Sequence, residues 1–157
     1  MRLEKPAPDP YGTHSPTSVE AARGLTRVAL GWFLMHQGWG KVVQDWTGGL
    51  GTFYESDFFQ GRLPGWLPEF VALPYGYALP WVELVAGALL MIGLYNRVSA
   101  GVSTLIFLSI AVAWLNSGSL FPRHMLLIYL PLGAWYFLAG PGRFSVDALM
   151  AARRGGD

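Results

Sequence analysis

Residues 70–94 of the chain read FVALPYGYALPWVELVAGALLMIGL and contain one charged residue, Glu83. A helix needs about 20 apolar residues to cross the hydrocarbon core of a bilayer, so this stretch is long enough to span a membrane. Pro74 and Pro80 lie near its start and are expected to break or kink the helix there. The length and composition therefore predict a transmembrane helix.

Three further stretches of similar character lie at residues 20–43, 98–115 and 123–138. The first begins after a plausible capping box at Thr17, and the last is short and contains Pro131, which is expected to kink it. Hydrophobic residues make up 52% of the chain and charged residues 13%, with a mean hydropathy of +0.33, which lies beyond ordinary globular usage. The sequence predicts an all-α fold, an integral membrane bundle of four helices.

The composition also excludes several classes of function. The chain has no cysteine, so it forms no disulfide and holds no iron–sulfur cluster or Cys-ligated zinc by itself. A formal net charge of +1 offers no basic surface for nucleic acid. The three histidines, His14, His36 and His124, show no convincing spacing for haem or a metal pair. We expect no metal and no covalently bound cofactor.

Lysine and arginine near membrane helices stay preferentially on the cytoplasmic side. If both termini lie there, that side carries most of the 11 basic residues, namely Arg2, Lys5, Arg23, Arg27, Arg97, Arg143, Arg153 and Arg154. The opposite side then carries Lys41, Arg62 and Arg123. The distribution predicts a multi-pass protein of the cytoplasmic (inner) membrane with cytoplasmic N- and C-termini. Residues 1–19 are rich in proline and lack the apolar run of a signal peptide, so they are expected to form an extended tail.

Two segments outside the predicted spans are also amphipathic. Residues 44–69 lie outside the cytoplasm in this topology, and several of their apolar side chains fall at helical spacing: Leu50, Phe53, Tyr54 and Phe58. This spacing predicts a short helix in the interface plane, either an aromatic anchor or a lid over a lipid-like ligand. In the cytoplasmic tail 140–157, Ser145 is placed to cap a second interfacial helix over residues 146–154.

Glu83 is the first candidate for a catalytic or ligand-binding residue, because a carboxylate inside a transmembrane segment is costly. Two placements are open. If the helix starts near Pro74, Glu83 lies about two turns deep and must be paired or protonated. If the helix effectively starts at Pro80, Glu83 lies in the first turn and only satisfies free backbone N–H groups.

His36 is the second catalytic candidate, since it lies at roughly the depth of Glu83 on the first helix. It is about 160° around that helix from Gly38, so the two cannot face the same neighbour. Gly38 belongs to a set of glycines that recur every seven residues and permit close helix packing: Gly24, Gly31 and Gly38.

A basic group is expected at the outer boundary, formed by Lys41, Arg123 and His124. These residues either extend to lipid headgroups or pair with Glu83 or an anionic substrate. Three rings near Glu83 would stack on a flat ring such as a quinone or serve as an aromatic belt: Tyr75, Tyr77 and Trp81. The predicted ligand-binding residues are therefore Lys41, Trp81, Glu83, Arg123 and His124.

Five segments together resemble the DoxX/DoxD family of small four-helix membrane proteins. The first helix contributes residues 27–33 (RVALGWF) and 38–41 (GWGK), and the second contributes 83–87 (ELVAG) and 93–97 (GLYNR). Residues 142–147 (GRFSVD) are similar to the closing G-x-x-S-x-D of the family. The resemblance implies the membrane fold of the membrane subunit of thiosulfate:quinone oxidoreductase, with Lys41, Glu83 and Arg97 as motif positions.

Two functions are consistent with this resemblance. In the first, the chain is an accessory or quinone-associated subunit of a membrane redox (electron-transfer) complex, has no redox centre of its own, and contacts lipid and other membrane subunits. In the alternative, it is the catalytic membrane subunit of a thiosulfate:quinone oxidoreductase-like enzyme, in which Lys41, Arg123 and His124 attract a small anion. A transporter or channel is disfavoured, because no internal repeat is visible.

Overall fold

The computed structural model describes residues 16–116 and 125–154, which are helical with short connections and contain no strand. The helices are α1 (Pro16–Gly48), α2 (Thr52–Glu55), α3 (Asp57–Gln60), α4 (Glu69–Ile92), α5 (Asn96–Asn116), α6 (Leu130–Ala139) and α7 (Val146–Arg154). One π-helical turn, Met125–Tyr129, leads into α6. The all-α prediction is confirmed. The predicted extended tail at residues 1–19 lies mostly outside the described residues.

Two of the described helices, α4 and α5, are long and apolar enough to cross a membrane, and Leu127–Ala139 forms a shorter apolar helix. Pro74 and Pro80 lie inside α4, which is one helix and not two. The helix ends at Gly93, whose φ of 71° places it in the left-handed region, with its N–H donated back to the Leu89 and Leu90 carbonyl oxygens.

α1 is 33 residues long and packs most extensively against α4. Gly31 and Gly87 lie at the closest approach, where a Cβ on Gly31 would lie 2.7 Å from the Gly87 oxygen and a Cβ on Gly87 would lie 2.7 Å from the Gly31 oxygen. Such reciprocal contact is possible only between two residues without side chains. Gly38 lies one contact further along, against Pro80 and Leu84 of α4. The predicted glycine face of the first helix therefore packs inside this chain.

The first turns of α1 are bonded to the end of α6 and to the connection that follows it. Arg23 donates to the carbonyl oxygens of Ala139 and Gly140 at 2.6 and 2.8 Å, and Arg27 donates to those of Pro141 and Phe144 at 2.7 and 2.6 Å. Arg27 is only 2% exposed, so hydrogen bonds to these carbonyl oxygens stabilise its charge in place of solvent. These bonds explain how a strongly polar segment can lie among apolar helices.

The C-terminal helix α7 is attached to the turn between α4 and α5. The Asp147 carboxylate accepts hydrogen bonds from the backbone N–H groups of Tyr95 and Asn96 at 2.9 and 2.8 Å. Ser145 Oγ accepts the Ala148 N–H at 3.1 Å, which is the predicted cap of this helix. Asp147 thus provides two acceptors to the free N–H groups at the start of α5.

Residues 49–68 fold over the end of α1 and α4 and differ from the sequence prediction. In place of one interfacial helix there are two single turns, α2 and α3, separated by Ser56 in an extended conformation (φ −65°, ψ 142°). Ser56 ends α2 and caps α3 by accepting the Phe59 N–H at 3.2 Å. The two turns direct Phe53 and Phe59 inward, where they are 3% and 7% exposed and pack into the core.

Candidate functional site

The candidate site is centred on an ion pair between α1 and α4. Lys41 Nζ lies 2.6 Å from Oε1 and 2.5 Å from Oε2 of Glu83. The Glu83 side chain is completely buried and that of Lys41 is 16% exposed. An ion pair at such a position persists only where each charge is matched, because taking either charge out of water alone is costly.

The position of Glu83 along α4 distinguishes between the two placements considered from the sequence. α4 begins at Glu69, so Glu83 lies about 20 Å from that end and about 13 Å from Ile92 at 1.5 Å per residue. Glu83 is therefore an interior residue of the helix, and it is paired by Lys41. The first-turn placement, with a helix starting at Pro80, is wrong.

Lys41 follows Gly38 by three residues, or about one turn, and therefore lies on the same face of α1. Gly38 permits the close approach of α1 to Pro80 and Glu83, where a Cβ on Gly38 would lie 2.8 Å from the Pro80 oxygen and 2.9 Å from Glu83 Cβ. The glycine thus brings the Lys41 ammonium within hydrogen-bonding distance of the Glu83 carboxylate.

Asp45, one turn beyond Lys41, holds the folded segment 49–68 over the ion pair. Its Oδ1 accepts the Phe53 N–H at 2.8 Å, and the residue is 5% exposed. The second oxygen, Oδ2, is buried and has no hydrogen-bond partner. The Phe53 ring then lies 5.2 Å from Lys41 Nζ, close enough for a cation–π interaction.

A cavity of about 480 Å³ adjoins the ion pair, and Lys41 is one of its lining residues. This volume lies within the roughly 300–1,000 Å³ typical of small-molecule sites. Its walls are mostly apolar and aromatic and include Phe33, Leu34, Phe53, Phe59, Leu79 and Phe107. Several lining residues are also exposed on the outside of the molecule, namely Phe58, Trp66, Val71, Leu105, Leu108 and Val112. The cavity therefore opens onto an apolar surface.

Polar groups line the cavity at a few points only. Tyr75 Oη and Ser109 Oγ share a hydrogen bond at 2.6 Å between α4 and α5, and Gln37 lies on the wall formed by α1. Arg62 also lines the cavity, with its guanidinium carbon 3.9 Å from the Phe58 ring centre and 4.1 Å from that of Trp114. An apolar cavity with few, separated polar groups suits an amphipathic ligand.

Not all the predicted site residues meet at this cavity. His36 is exposed on α1 and stacks on Trp32 with ring centres 6.0 Å apart, so it does not contact Glu83. Trp81 is 43% exposed and is not a lining residue, and Tyr77 packs against Tyr54 at 5.4 Å. Lys41, Glu83 and Tyr75 are brought to the ion pair and cavity. Arg123 and His124 lie outside the described residues.

Three residues of the site were not singled out from the sequence: Gln37, Asp45 and Arg62. The signal for Asp45 was available, because Gly38, Lys41 and Asp45 are spaced by three and four residues and therefore share one helical face. The sequence does not predict that Arg62 lines the cavity, because its position depends on how residues 49–68 fold back on α4 and α5.

The described residues are helical, and two of the helices, α4 and α5, are long and apolar enough to cross a membrane, as in a small helical membrane protein. The family model for DoxX matches residues 23–116, which is more than half of the chain. The chain therefore belongs to the DoxX family. The matched region contains both partners of the ion pair and the whole folded segment 49–68. Neither the curated proteins nor the solved structures include a significant match to this chain.

Proposed function

We propose that the chain is an accessory, quinone-associated subunit of a membrane electron-transfer complex and has no redox centre of its own. The observation that carries this proposal is the Lys41 ammonium at the wall of an apolar cavity. An ammonium group has three N–H donors, and the two oxygens of Glu83 accept from Lys41. The third donor is available to a carbonyl oxygen, the acceptor that a quinone ring presents.

The walls and the opening of the cavity fit the same class of ligand. Aromatic side chains such as Phe53, Phe59 and Tyr75 offer faces on which a flat ring stacks. The opening borders exposed apolar side chains, including Leu105 at 66% and Leu108 at 44% exposure. A quinone with its long apolar chain partitions into the bilayer, so such an opening admits it directly from lipid.

In this proposal α1, α4, α5 and the helical segment 125–139 all cross the cytoplasmic membrane, with both termini in the cytoplasm. α4 and α5 meet the length and hydropathy of membrane spans, and α1 is long enough at about 50 Å. The charges of α1 that would oppose insertion are met inside the protein: Arg27 by carbonyl oxygens and Lys41 by Glu83. The exposed Arg97, Arg153 and Arg154 then lie on the basic, cytoplasmic side.

The accessory role also requires a surface for another subunit, and α1 offers one. His36 is exposed on the helix face opposite to α4, between Trp32 and Trp39, which are each 56% exposed. An imidazole is costly to leave facing lipid, so a helix of a partner subunit with a hydrogen-bonding group is the occupant we propose. A Cβ on Gly40 would have no atom within 4 Å, so this position leaves room for a partner helix to approach closely.

The alternative, a catalytic thiosulfate:quinone oxidoreductase-like subunit, relied on Lys41, Arg123 and His124 as an anion-attracting group. Lys41 is already bound to Glu83, so its charge is neutralised locally. No observation on the described residues favours this alternative over the accessory role.

The quinone proposal is tested by titrating the purified protein, in an uncharged mild detergent, with a short-chain ubiquinone analogue and following tryptophan fluorescence. Saturable binding that weakens about tenfold or more in Lys41→Met is expected, since one charged donor is removed. Arg153→Met, which removes an exposed cation of α7, is the matched control and should bind as wild type does. Equal binding by Lys41→Met and wild type would refute the role of Lys41.

The accessory role is tested separately by purification from native membranes. A companion membrane protein that co-purifies with wild type and is lost in His36→Leu supports it. Migration of the wild-type chain as a lone monomer in every mild detergent would contradict the accessory role.

A further inference from the structure

Arg62 occupies an unusual environment at the edge of the cavity. Its guanidinium carbon lies 3.9 Å from the centre of the Phe58 ring and 4.1 Å from that of Trp114. Its Nη1 donates to the Phe58 carbonyl oxygen at 2.5 Å. Two aromatic rings and one hydrogen bond therefore fix the position of this charged group before any ligand arrives.

Within residues 16–116 and 125–154, Arg62 has one hydrogen-bond acceptor, the Phe58 carbonyl oxygen. A guanidinium has five N–H donors, and the Phe58 and Trp114 rings, which are inclined at 75° to each other, offer it no oxygen acceptor. The Nε atom is buried and has no hydrogen-bond partner. No carboxylate lies within ion-pair distance of Arg62 among residues 16–116 and 125–154. Among the residues that the structure describes, most donors of this guanidinium therefore have no oxygen acceptor.

A purely structural role accounts for the rings but not for the donors. Cation–π contact with Phe58 and Trp114 would join the folded segment to α5 whether or not the donors were used. A buried donor without an acceptor costs free energy, however, and a lysine or methionine could cover the same rings at lower cost. The planar guanidinium is the group that matches the geometry of an oxyanion.

We propose that Arg62 forms an oxyanion-binding subsite at the mouth of the cavity, which takes the phosphate headgroup of an anionic amphipath. The apolar chain of this ligand lies in the cavity, whose lining beside Arg62 includes the exposed apolar residues Trp66, Leu108 and Val112. The subsite is separate from the Lys41 donor and does not depend on quinone binding. The same chemistry is offered by a lipid headgroup or by free phosphate, and the experiment distinguishes the two.

The test is a titration of the full chain in maltoside detergent with three probes, followed by the shift in melting temperature. The probes are monododecyl phosphate, dodecylphosphocholine with the same chain but no net charge, and inorganic phosphate. Monododecyl phosphate is expected to bind about tenfold more tightly than dodecylphosphocholine, and Arg62→Gln should remove that difference. Arg153→Gln, which removes an exposed arginine of α7, should retain it.

Each outcome bears on the proposal. Binding of monododecyl phosphate alone identifies a lipid headgroup as the source, and equal binding of inorganic phosphate identifies a free oxyanion. If Arg62→Gln does not fold, Arg62→Lys is used, which keeps the charge but loses the planar donors and should weaken binding of the phosphate probe several-fold. Equal binding of the charged and zwitterionic probes by wild type, or unchanged selectivity in the Arg62 variants, would overturn the proposal. Quinone-analogue binding is not read by this titration, so either proposal can fail without the other.

Discussion

Replacing Lys41 with methionine leaves the Glu83 carboxylate buried with no partner, because both of its oxygens are bonded to Lys41 Nζ. Removing one member of a buried ion pair typically costs about 3–5 kcal/mol. Glu83→Met should cost less than this, because the Lys41 side chain is 16% exposed and can turn its ammonium towards the cavity. The double variant, with methionine at both positions, removes both charges and should be close to wild type in stability.

The measurement is a double-mutant cycle on protein purified in an uncharged detergent. Unfolding in mixed micelles with increasing dodecyl sulfate, followed by circular dichroism, gives the free energy of unfolding of the four proteins. We expect a coupling energy of about 3 kcal/mol or more between the two positions, at the upper end for residues in direct contact. Gly40→Ala on α1 serves as a control for purification and handling, since a Cβ there meets no atom within 4 Å.

Two results would refute this reasoning. If each single variant unfolds within about 0.5 kcal/mol of wild type, the ion pair contributes nothing at this depth, as is common for surface pairs. If the two losses simply add in the double variant, Lys41 and Glu83 are not coupled, and the contact between α1 and α4 does not depend on their charges.

Three further predictions concern single contacts in the fold. Gly38→Ala should lower the free energy of unfolding by about 1–3 kcal/mol, because its Cβ would lie 2.8 Å from the Pro80 oxygen. Gly40→Ala should be neutral or slightly stabilising, and a chemical unfolding curve of each variant checks both expectations. Asp147→Ala removes two acceptors from the start of α5 and should cost about 0.5–2 kcal/mol, and wild-type stability in the same assay would contradict the capping role. Asp45→Ala should release Phe53 and increase proteolysis within residues 49–68, whereas Asp45→Asn keeps an acceptor for the Phe53 N–H and should not. Equal cleavage rates for the two variants would disprove that Asp45 holds this segment on α1.

Sequence reasoning predicted the helical class, because the membrane allows few alternatives to a helix for a long apolar stretch. It also singled out Glu83, because a carboxylate inside a transmembrane segment is costly. The hydropathy of α1 was a weaker guide, since Arg27 and Lys41 lower it although both are bonded inside the protein. The hydropathy of a helix cannot show that its charged side chains are bonded to residues far away in the sequence.

The sequence also carries information on the partner of Glu83. His36 lies at roughly the depth of Glu83 but about 160° around α1 from Gly38, so it cannot face α4 together with the glycine face. Lys41 shares that face with Gly38, and the structure pairs it with Glu83. The fold of residues 49–68 was not predictable in this way, because the helical spacing of the apolar side chains there does not reveal that Ser56 interrupts the helix.

The mutual contact of Gly31 and Gly87 has a consequence for motion. Two backbones that meet without side chains cannot slide or rotate past each other, because any neighbouring residue brought into that position would overlap the opposite helix. We therefore expect α1 and α4 to move as one unit. Any widening of the cavity mouth is then expected from the segment 49–68, which attaches to α1 through Asp45 and to α5 through Arg62, or from displacement of α5 itself.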